Sequence, residues 1–152
     1  MEIRFDEVGH SYGDRTVLSD VTLTLTERRI GIVGVNGGGK STLARMINGL
    51  VVPTSGAVTV GGLDTRRKGG RVRKQVGFCF TDPDTQIVMP TVVEDVEFSL
   101  RRSGLSKVER RRRALQVLET YGLAGHADHP CHLLSGGQKQ LLALAAVLVL
   151  EP

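Results

Sequence analysis

The sequence predicts an α/β fold, and three patterns indicate it. Apolar and polar residues alternate near the N terminus, as in half-buried strands. An apolar segment, a glycine-rich loop and an amphipathic helix then follow one another, as around a buried parallel strand. After Pro90, hydroxyl residues followed three positions later by glutamate mark the starts of helices. We therefore expect an α/β core that carries a helical subdomain.

Five segments are predicted as strands. Residues 3–6 and 21–26 alternate with period two and are expected to form two antiparallel strands. Residues 29–35 are apolar on both faces, which favours a strand buried in a parallel sheet. Residues 57–60 and 76–80 are expected to add further strands.

Four helices are predicted. The first covers residues 40–50, with one apolar face formed by Leu43, Met46, Ile47 and Leu50. The next two begin at Thr91 and Ser106, and the second of these ends at Gly122, a favourable C-terminal glycine. A last helix begins near Ser135 and is still running where the sequence ends.

Composition is that of an ordinary globular domain. Of 152 residues, 40% are hydrophobic and 24% charged, which excludes a disordered chain. The longest apolar stretch, residues 141–150, is half of the roughly 20 residues that span a bilayer. The N terminus is acidic and does not resemble a signal peptide. Cys79 and Cys131 form no paired motif, so we expect free thiols in a reducing cytoplasm.

A phosphate-binding loop is the strongest motif. Residues 34–41, GVNGGGKS, fit G-x-x-x-x-G-K-[ST] between a predicted strand and a predicted helix. Glycines let backbone amides surround phosphate oxygens, Lys40 can reach the β and γ phosphates, and the Ser41 hydroxyl can ligate Mg²⁺. The alternative is a loop that merely turns. The candidate ATP-binding residues here are Gly34, Val35, Asn36, Gly37, Gly38, Gly39, Lys40, Ser41 and Thr42.

A second motif, LSGGQ at residues 134–138, opens the last predicted helix. By itself it indicates an anion site or a capped helix. Together with the phosphate loop it resembles the ATP-binding cassette (ABC) ATPases. The resemblance implies a P-loop NTPase (RecA-like) core with an N-terminal antiparallel β subdomain, an α-helical subdomain, and a C-terminal part that is missing. It also implies that the signature residues contact the γ-phosphate held by another subunit; these are Ser135, Gly136, Gly137 and Gln138.

On this resemblance the chain divides into three segments. Residues 1–90 form the ATP-binding core with antiparallel strands, residues 91–134 the helical subdomain, and residues 135–152 the signature motif and the start of its helix. Tyr12 occupies the position of the family's adenine-stacking aromatic; the alternative is an exposed hairpin tyrosine. Asn36 matches a frequent family residue.

Thr81 departs from the family pattern. After residues 76–80 the family normally has a glutamine that senses Mg²⁺ and the attacking water, and a threonine offers a shorter arm. Gln86 lies five residues further on and is the other candidate in this loop region.

Residues 82–91 and 133–144 resemble the ATPases of energy-coupling-factor importers, which take up cobalt, nickel or vitamins such as biotin. The resemblance implies a second ABC ATPase subunit, identical or different, a transmembrane coupling subunit that docks on this loop, and a substrate-binding membrane protein. It places the chain on the cytoplasmic face of the membrane. The alternative for residues 82–91 is an ordinary surface loop.

The arginine-rich stretch at residues 101–113 is expected to be a solvated helix face, and no nucleic acid partner is expected. A soluble ABC ATPase acting on nucleic acid is a rival, but residues 41–135 hold no sustained heptads and no paired cysteines. An unrelated P-loop kinase would leave LSGGQ unexplained.

Family residues that complete catalysis are expected beyond Pro152: an Asp for Mg²⁺, a Glu that polarises water and a switch histidine. None of the four histidines, His10, His126, His129 and His132, is expected in that last role. The resemblance thus implies an ATPase, while the 152-residue chain itself is expected to bind ATP without turning it over. A non-catalytic ATP-binding fragment is the alternative.

Overall fold

The computed structural model describes residues 1–152 as two compact units, Met1–Val76 and Gly77–Pro152. Residues 77–90 and the signature segment belong to the same unit as the helical residues 91–134. The phosphate loop belongs to the N-terminal unit and the signature motif to the C-terminal one.

The N-terminal unit is built on a four-stranded sheet with the order β2-β1-β3-β4. Its strands are β1 (Ile3–Tyr12), β2 (Arg15–Leu25), β3 (Ser55–Val60) and β4 (Leu63–Asp64), and its helices are α1 (Lys40–Ile47) and α2 (Thr65–Val72). Every neighbouring pair of strands is antiparallel. The antiparallel N-terminal subdomain is therefore confirmed.

Period-two alternation explains the core of this unit. Phe5 of β1 lies opposite Leu23 of β2 and Val58 of β3, and it is fully buried. Met46, on the apolar face of α1, is also fully buried and joins the same cluster. The sheet and the first helix thus bury the alternating residues that the sequence singled out.

Two predicted strands are wrong. Residues 29–35 and 76–80 belong to no strand of the sheet, and Val33 is 95% exposed. A strand needs ladder hydrogen bonds to a neighbour, and an apolar sequence indicates a tendency to be buried without supplying that partner. The first helix also ends at Ile47 rather than Leu50, before Gly49, whose φ is +70°.

The predictions missed β4 and α2. Asp64 caps α2 by accepting hydrogen bonds from the amides of Arg66 and Arg67 at 2.8 and 3.0 Å. An aspartate before a polar run is a recognisable start signal, but the glycines at 69 and 70 weaken the helical pattern that follows.

The C-terminal unit is helical. It contains α3 (Val92–Ser99), α4 (Lys107–Thr120) and α5 (Gly136–Leu148), joined by short 3₁₀ turns. All three helices contribute buried side chains to one core, among them Val92, Val93, Val96, Ala114, Leu118, Leu142 and Ala145, and Leu100 and Val149, which follow α3 and α5, join it. No helix is long and apolar enough to cross a bilayer.

Reciprocal capping starts these helices as the sequence predicts. The Ser106 amide donates to the Glu109 carboxylate at 3.0 Å, and the Ser106 hydroxyl accepts from the Glu109 amide at 3.3 Å. The Thr91 amide donates to Glu94 at 3.3 Å. Helix α4 is followed by Gly122 with φ +70°, which confirms its predicted end.

Candidate nucleotide site and signature segment

The phosphate loop leads directly into α1. The Gly38 amide donates to the Val35 carbonyl at 3.1 Å, which folds the loop back on itself. The residue before the helix is Gly39, so no side-chain oxygen caps the first turn. The first amides of a helix have no partner within the helix. This end of α1 therefore keeps the donors and the positive dipole end that bind an anion.

Two glycines are required by backbone conformation. Gly37 and Gly39 have φ values of +80° and +81°, a region that side chains with a Cβ disfavour. At Gly39 a Cβ would also lie 2.8 Å from Leu18 Cδ2 and 3.1 Å from the Val17 carbonyl oxygen, both on β2. Strand β2 therefore packs so closely against the loop at Gly39 that only glycine fits there.

Lys40 bends back over the loop. Its Nζ donates to the carbonyl oxygens of Gly34 at 2.8 Å and Val35 at 2.7 Å. The ammonium is therefore held at the loop, close to the amides that would bind the same anion. Ser41 follows it as an exposed residue of the first helical turn, while Thr42 is 8% exposed.

Tyr12 lies at the end of β1 and is 51% exposed. Its ring meets that of the buried His10 edge-on, with centroids 4.6 Å apart and an interplanar angle of 87°. One face of a ring held in this way can still receive a flat ligand.

Arg15, at the start of β2, is a further candidate for the site that the sequence did not indicate. Its Nη2 lies 3.5 Å from the position of a Cβ built on Gly37. This distance places a guanidinium beside the phosphate loop, where it adds positive charge. No local pattern marks Arg15, because the hairpin and the loop are separated in sequence and meet only in the folded unit.

Gln86 forms its side-chain hydrogen bonds within the C-terminal unit. Its Oε1 accepts from the Phe80 amide at 3.1 Å, and its Nε2 donates to the Ala143 carbonyl on α5 at 2.9 Å. Thr81 is exposed, and its carbonyl accepts from the Gln140 side chain at 2.7 Å. Both candidates of this loop are thus joined to the signature helix, and the Gln86 amide is occupied at both ends.

Asp95 organises the remainder of the loop and was also missed by the sequence reasoning. It is 3% exposed, and its Oδ1 accepts from the amides of Val88 at 2.8 Å and Met89 at 3.0 Å. Burial raises the pKa of this carboxyl, while the two amide bonds act in the opposite direction. One buried side chain therefore holds Val88 and Met89 against α3.

The signature segment forms a third reciprocal cap. The Ser135 amide donates to Gln138 Oε1 at 2.8 Å, and the Ser135 hydroxyl accepts from the Gln138 amide at 3.3 Å. No atom lies within 4 Å of a Cβ built on Gly136 or Gly137. Packing within this chain therefore does not require those two glycines.

An ion pair ties the start of α5 to the same loop. Lys139 Nζ lies 2.7 Å from the Asp84 carboxylate, and the lysine side chain is 18% exposed. With the bonds from Gln140 to Thr81 and from Gln86 to Ala143, three polar contacts join residues 80–86 to the signature helix.

Two arginines of the arginine-rich stretch contact side chains within their unit. Arg111 pairs with Asp128 at 2.9 Å and Glu97 at 3.4 Å. The Arg101 guanidinium lies 5.0 Å from the centre of the Phe98 ring. These contacts are those of a solvated surface.

The two cysteines are free, as expected. Cys131 is buried, and burial raises the pKa of its thiol to about 11. No group of three His, Cys, Asp or Glu side chains is placed to hold a metal ion.

A glycine-rich loop, an uncapped helix end and a lysine folded over both define a P-loop nucleotide-binding protein. The sequence profile of the ABC transporter family matches residues 18–152, so the chain belongs to this family. An ABC transporter ATP-binding protein of Deinococcus radiodurans is 53% identical over 150 residues, which are 99% of this chain and 66% of that protein. The biotin transport ATP-binding protein BioM of Rhizobium etli is 46% identical, over all of this chain and 67% of its own length.

Solved structures show the same fold. CbiO1 of Clostridium perfringens, described as part of the ABC transporter complex cbiONQ, matches with a TM-score of 0.83 and 33% identity, over 99% of this chain and 62% of that one. A dimeric ATP-binding cassette in a post-hydrolysis state, with ADP and Pi bound, matches with a TM-score of 0.84 and 32% identity, over 99% and 70%. The predicted α/β P-loop class with its helical subdomain is thus confirmed. The chain spans about two thirds of the length of the curated relatives it matches.

Proposed function

We propose that this chain is the ATP-binding part of an ABC importer subunit, which uses ATP to drive uptake of a metal ion or vitamin across the cell membrane. The observation that carries the proposal is the Lys40 ammonium held on the loop beside an uncapped helix end. Both groups are arranged to receive phosphate before any ligand is present.

On ATP binding, Lys40 exchanges two carbonyl partners for oxygens of the β and γ phosphates. The amides of Gly37 and residues 39–42 donate to the same phosphates, and Arg15 adds charge at the side of Gly37. Tyr12 offers its exposed face to adenine. Mg²⁺ would neutralise phosphate charge, with the Ser41 hydroxyl as its ligand from the loop.

A second ATPase subunit, identical or different, is proposed as the partner of Ser135, Gly136, Gly137 and Gln138. Two glycines that packing leaves open would let a neighbouring phosphate approach the start of α5. The dimeric cassette with ADP and Pi supports this arrangement. In the proposed arrangement, ATP hydrolysis is an activity of the whole protein and not of this chain alone.

A transmembrane coupling subunit, acting with a substrate-binding membrane protein, is proposed to dock on residues 82–91 from the cytoplasmic side. A cavity of about 360 Å³ lies here, lined among others by Ile87, Val88 and Met89, and Val88 is 61% exposed. The relatives named for biotin transport, for cobalt import and for the cbiONQ complex support an importer of this kind. The same names support a metal ion or a vitamin as the class of solute.

Nucleotide binding is tested with a fluorescent ATP analogue and Mg²⁺. Lys40→Ala is expected to weaken binding by at least about tenfold, since it removes a charged hydrogen-bond donor from the phosphates. Lys74→Ala, an exposed lysine of the same unit, is the matched control and should bind normally. Equal affinities for the two variants would contradict the assigned role of the loop.

The signature contact is tested by ATP-dependent association of the protein in analytical ultracentrifugation. Gly136→Arg adds a large side chain at the start of α5, where a Cβ meets nothing within 4 Å, and should abolish association. Gly125→Arg is the control, because a Cβ there also meets nothing within 4 Å. Association that survives Gly136→Arg would refute the proposed contact.

A further inference from the structure

Two histidines lie next to the signature segment. His126 ends the 3₁₀ turn Ala124–His126, and its Nδ1 lies 3.0 Å from Nδ1 of His129. The other ring nitrogen of His126, Nε2, lies 3.1 Å from Nε2 of Gln138. His126 is half-buried and His129 is exposed, so solvent reaches the pair.

The hydrogen bonds determine where the protons are. Gln138 Oε1 accepts from the Ser135 amide, so its NH₂ group faces His126 and donates to Nε2. A neutral His126 then carries its proton on Nδ1 and donates it to Nδ1 of His129. One proton therefore stands between the two nitrogens: Nδ1 of His129 has a lone pair for a metal ion, and Nδ1 of His126 gains one when its proton moves to Nε2.

The distance between these nitrogens selects a coordination angle. With metal–nitrogen bonds of about 2.0–2.1 Å, donors 3.0 Å apart subtend roughly 90–97° at the ion. A tetrahedral angle would need a separation of about 3.3–3.4 Å. Right-angled nitrogen donors suit the tetragonal geometry of Cu²⁺ and Ni²⁺.

We propose that His126 and His129 bind one divalent transition-metal ion of this preference, Ni²⁺ or Cu²⁺, through their two Nδ1 atoms, and that the ion loosens the signature cap. Water completes the coordination, because no third His, Cys, Asp or Glu side chain is placed to join a metal site. Asp128, between the two histidines in sequence, pairs with Arg111 at 2.9 Å instead.

The link to the signature motif follows from the proton. When the ion takes the Nδ1 lone pair, neutral His126 carries its proton on Nε2, which becomes a donor. Two donors would then face each other unless the Gln138 amide turns over. That turn takes Oε1 away from the Ser135 amide and breaks the 2.8 Å bond of the cap. Any effect on transport rests on the role proposed above for this motif.

Metal binding is tested by calorimetric titration of the tag-free protein with Ni²⁺. One ion per chain is expected, and His129→Ala should weaken binding by about tenfold or more. His132→Ala, an exposed histidine three residues further on, is the matched control and should bind as the wild type does. Circular dichroism verifies that each variant is folded. Absence of Ni²⁺ binding, or equal weakening by the two variants, would overturn the site.

The effect on the cap is read from amide hydrogen exchange at residues 135–138 with and without Ni²⁺. Faster exchange is expected in the wild type and not in His129→Ala. Exchange that is unchanged at saturating Ni²⁺ would overturn the link to Gln138. Neither measurement uses nucleotide, so the site and its coupling can stand even if ATP-dependent association, the test of the proposed function, fails.

Discussion

Replacing Asp95 should release the loop of residues 82–91 from α3. In Asp95→Ala the amides of Val88 and Met89 lose their acceptor, and each buried donor left without a partner costs about 1–3 kcal/mol. Val88 is 61% exposed, so water can replace part of one bond. We expect a loss of about 2–4 kcal/mol in the free energy of unfolding of the C-terminal unit.

Asp95→Asn is the matched control, because its Oδ1 can accept the same two hydrogen bonds without a charge. Burial raises the pKa of Asp95 above its ordinary value of 3.8, so the folded protein binds the proton more tightly than the unfolded chain. As pH rises from 3.8 through the folded pKa, the wild type therefore loses stability. The asparagine variant has no such loss, so its stability relative to the wild type should improve over this window.

Urea unfolding followed by far-ultraviolet circular dichroism, repeated across this pH range, measures both effects. Two results would contradict this prediction: Asp95→Ala unfolding at the same urea concentration as the wild type, or Asp95→Asn being as unstable as Asp95→Ala. Either result would mean that the two amide bonds do not hold the loop.

Three further outcomes are expected. Gly39→Ala should weaken ATP binding severalfold or more, because the αL backbone costs an alanine about 1–2 kcal/mol and the new Cβ lies 2.8 Å from a β2 side chain. Gly31→Ala, where a Cβ meets nothing within 4 Å, should bind ATP normally, and fluorescence titration compares the two. Tyr12→Ala should lose about 1–3 kcal/mol of stacking on adenine, which raises the Kd for ATP roughly 5–150-fold. Tyr12→Phe should keep most of this stacking. Similar dissociation constants for the two variants would argue against stacking. Burial raises the pKa of both thiols, that of Cys131 to about 11, so only about one Cys131 in a thousand is thiolate near pH 8. Because Cys79 is exposed and Cys131 is buried, maleimide should label Cys79 first, as mass spectrometry of digested peptides would show.

The parts of the fold that depend on near neighbours in sequence were predicted well. The starts of α1, α3, α4 and α5 and the turn glycine at 122 all follow from residues within four positions of one another. Segments 29–35 and 76–80 were predicted as strands and are not, because pairing requires a partner that periodicity does not name.

Motif spacing predicted the candidate site more fully than its surroundings. The motifs GVNGGGKS and LSGGQ identify the phosphate loop and the signature segment from sequence alone, because their chemistry uses backbone amides and adjacent side chains. Gln86 shows the limit of such reasoning. The sequence placed this residue in the loop region without a defined role, and only the structure shows that both ends of its amide bond to Phe80 and Ala143.

By itself the sequence determined the family, the starts of α1, α3, α4 and α5, the antiparallel hairpin and the positions of the two motifs. Tertiary structure alone decided that Arg15 reaches Gly37, that Asp95 holds the loop before α3, and that two imidazoles meet beside Gln138. The physical reason is the separation along the sequence of the residues that interact. Caps and glycine-rich loops are local hydrogen-bonding problems, whereas these contacts join residues whose approach depends on how whole elements pack.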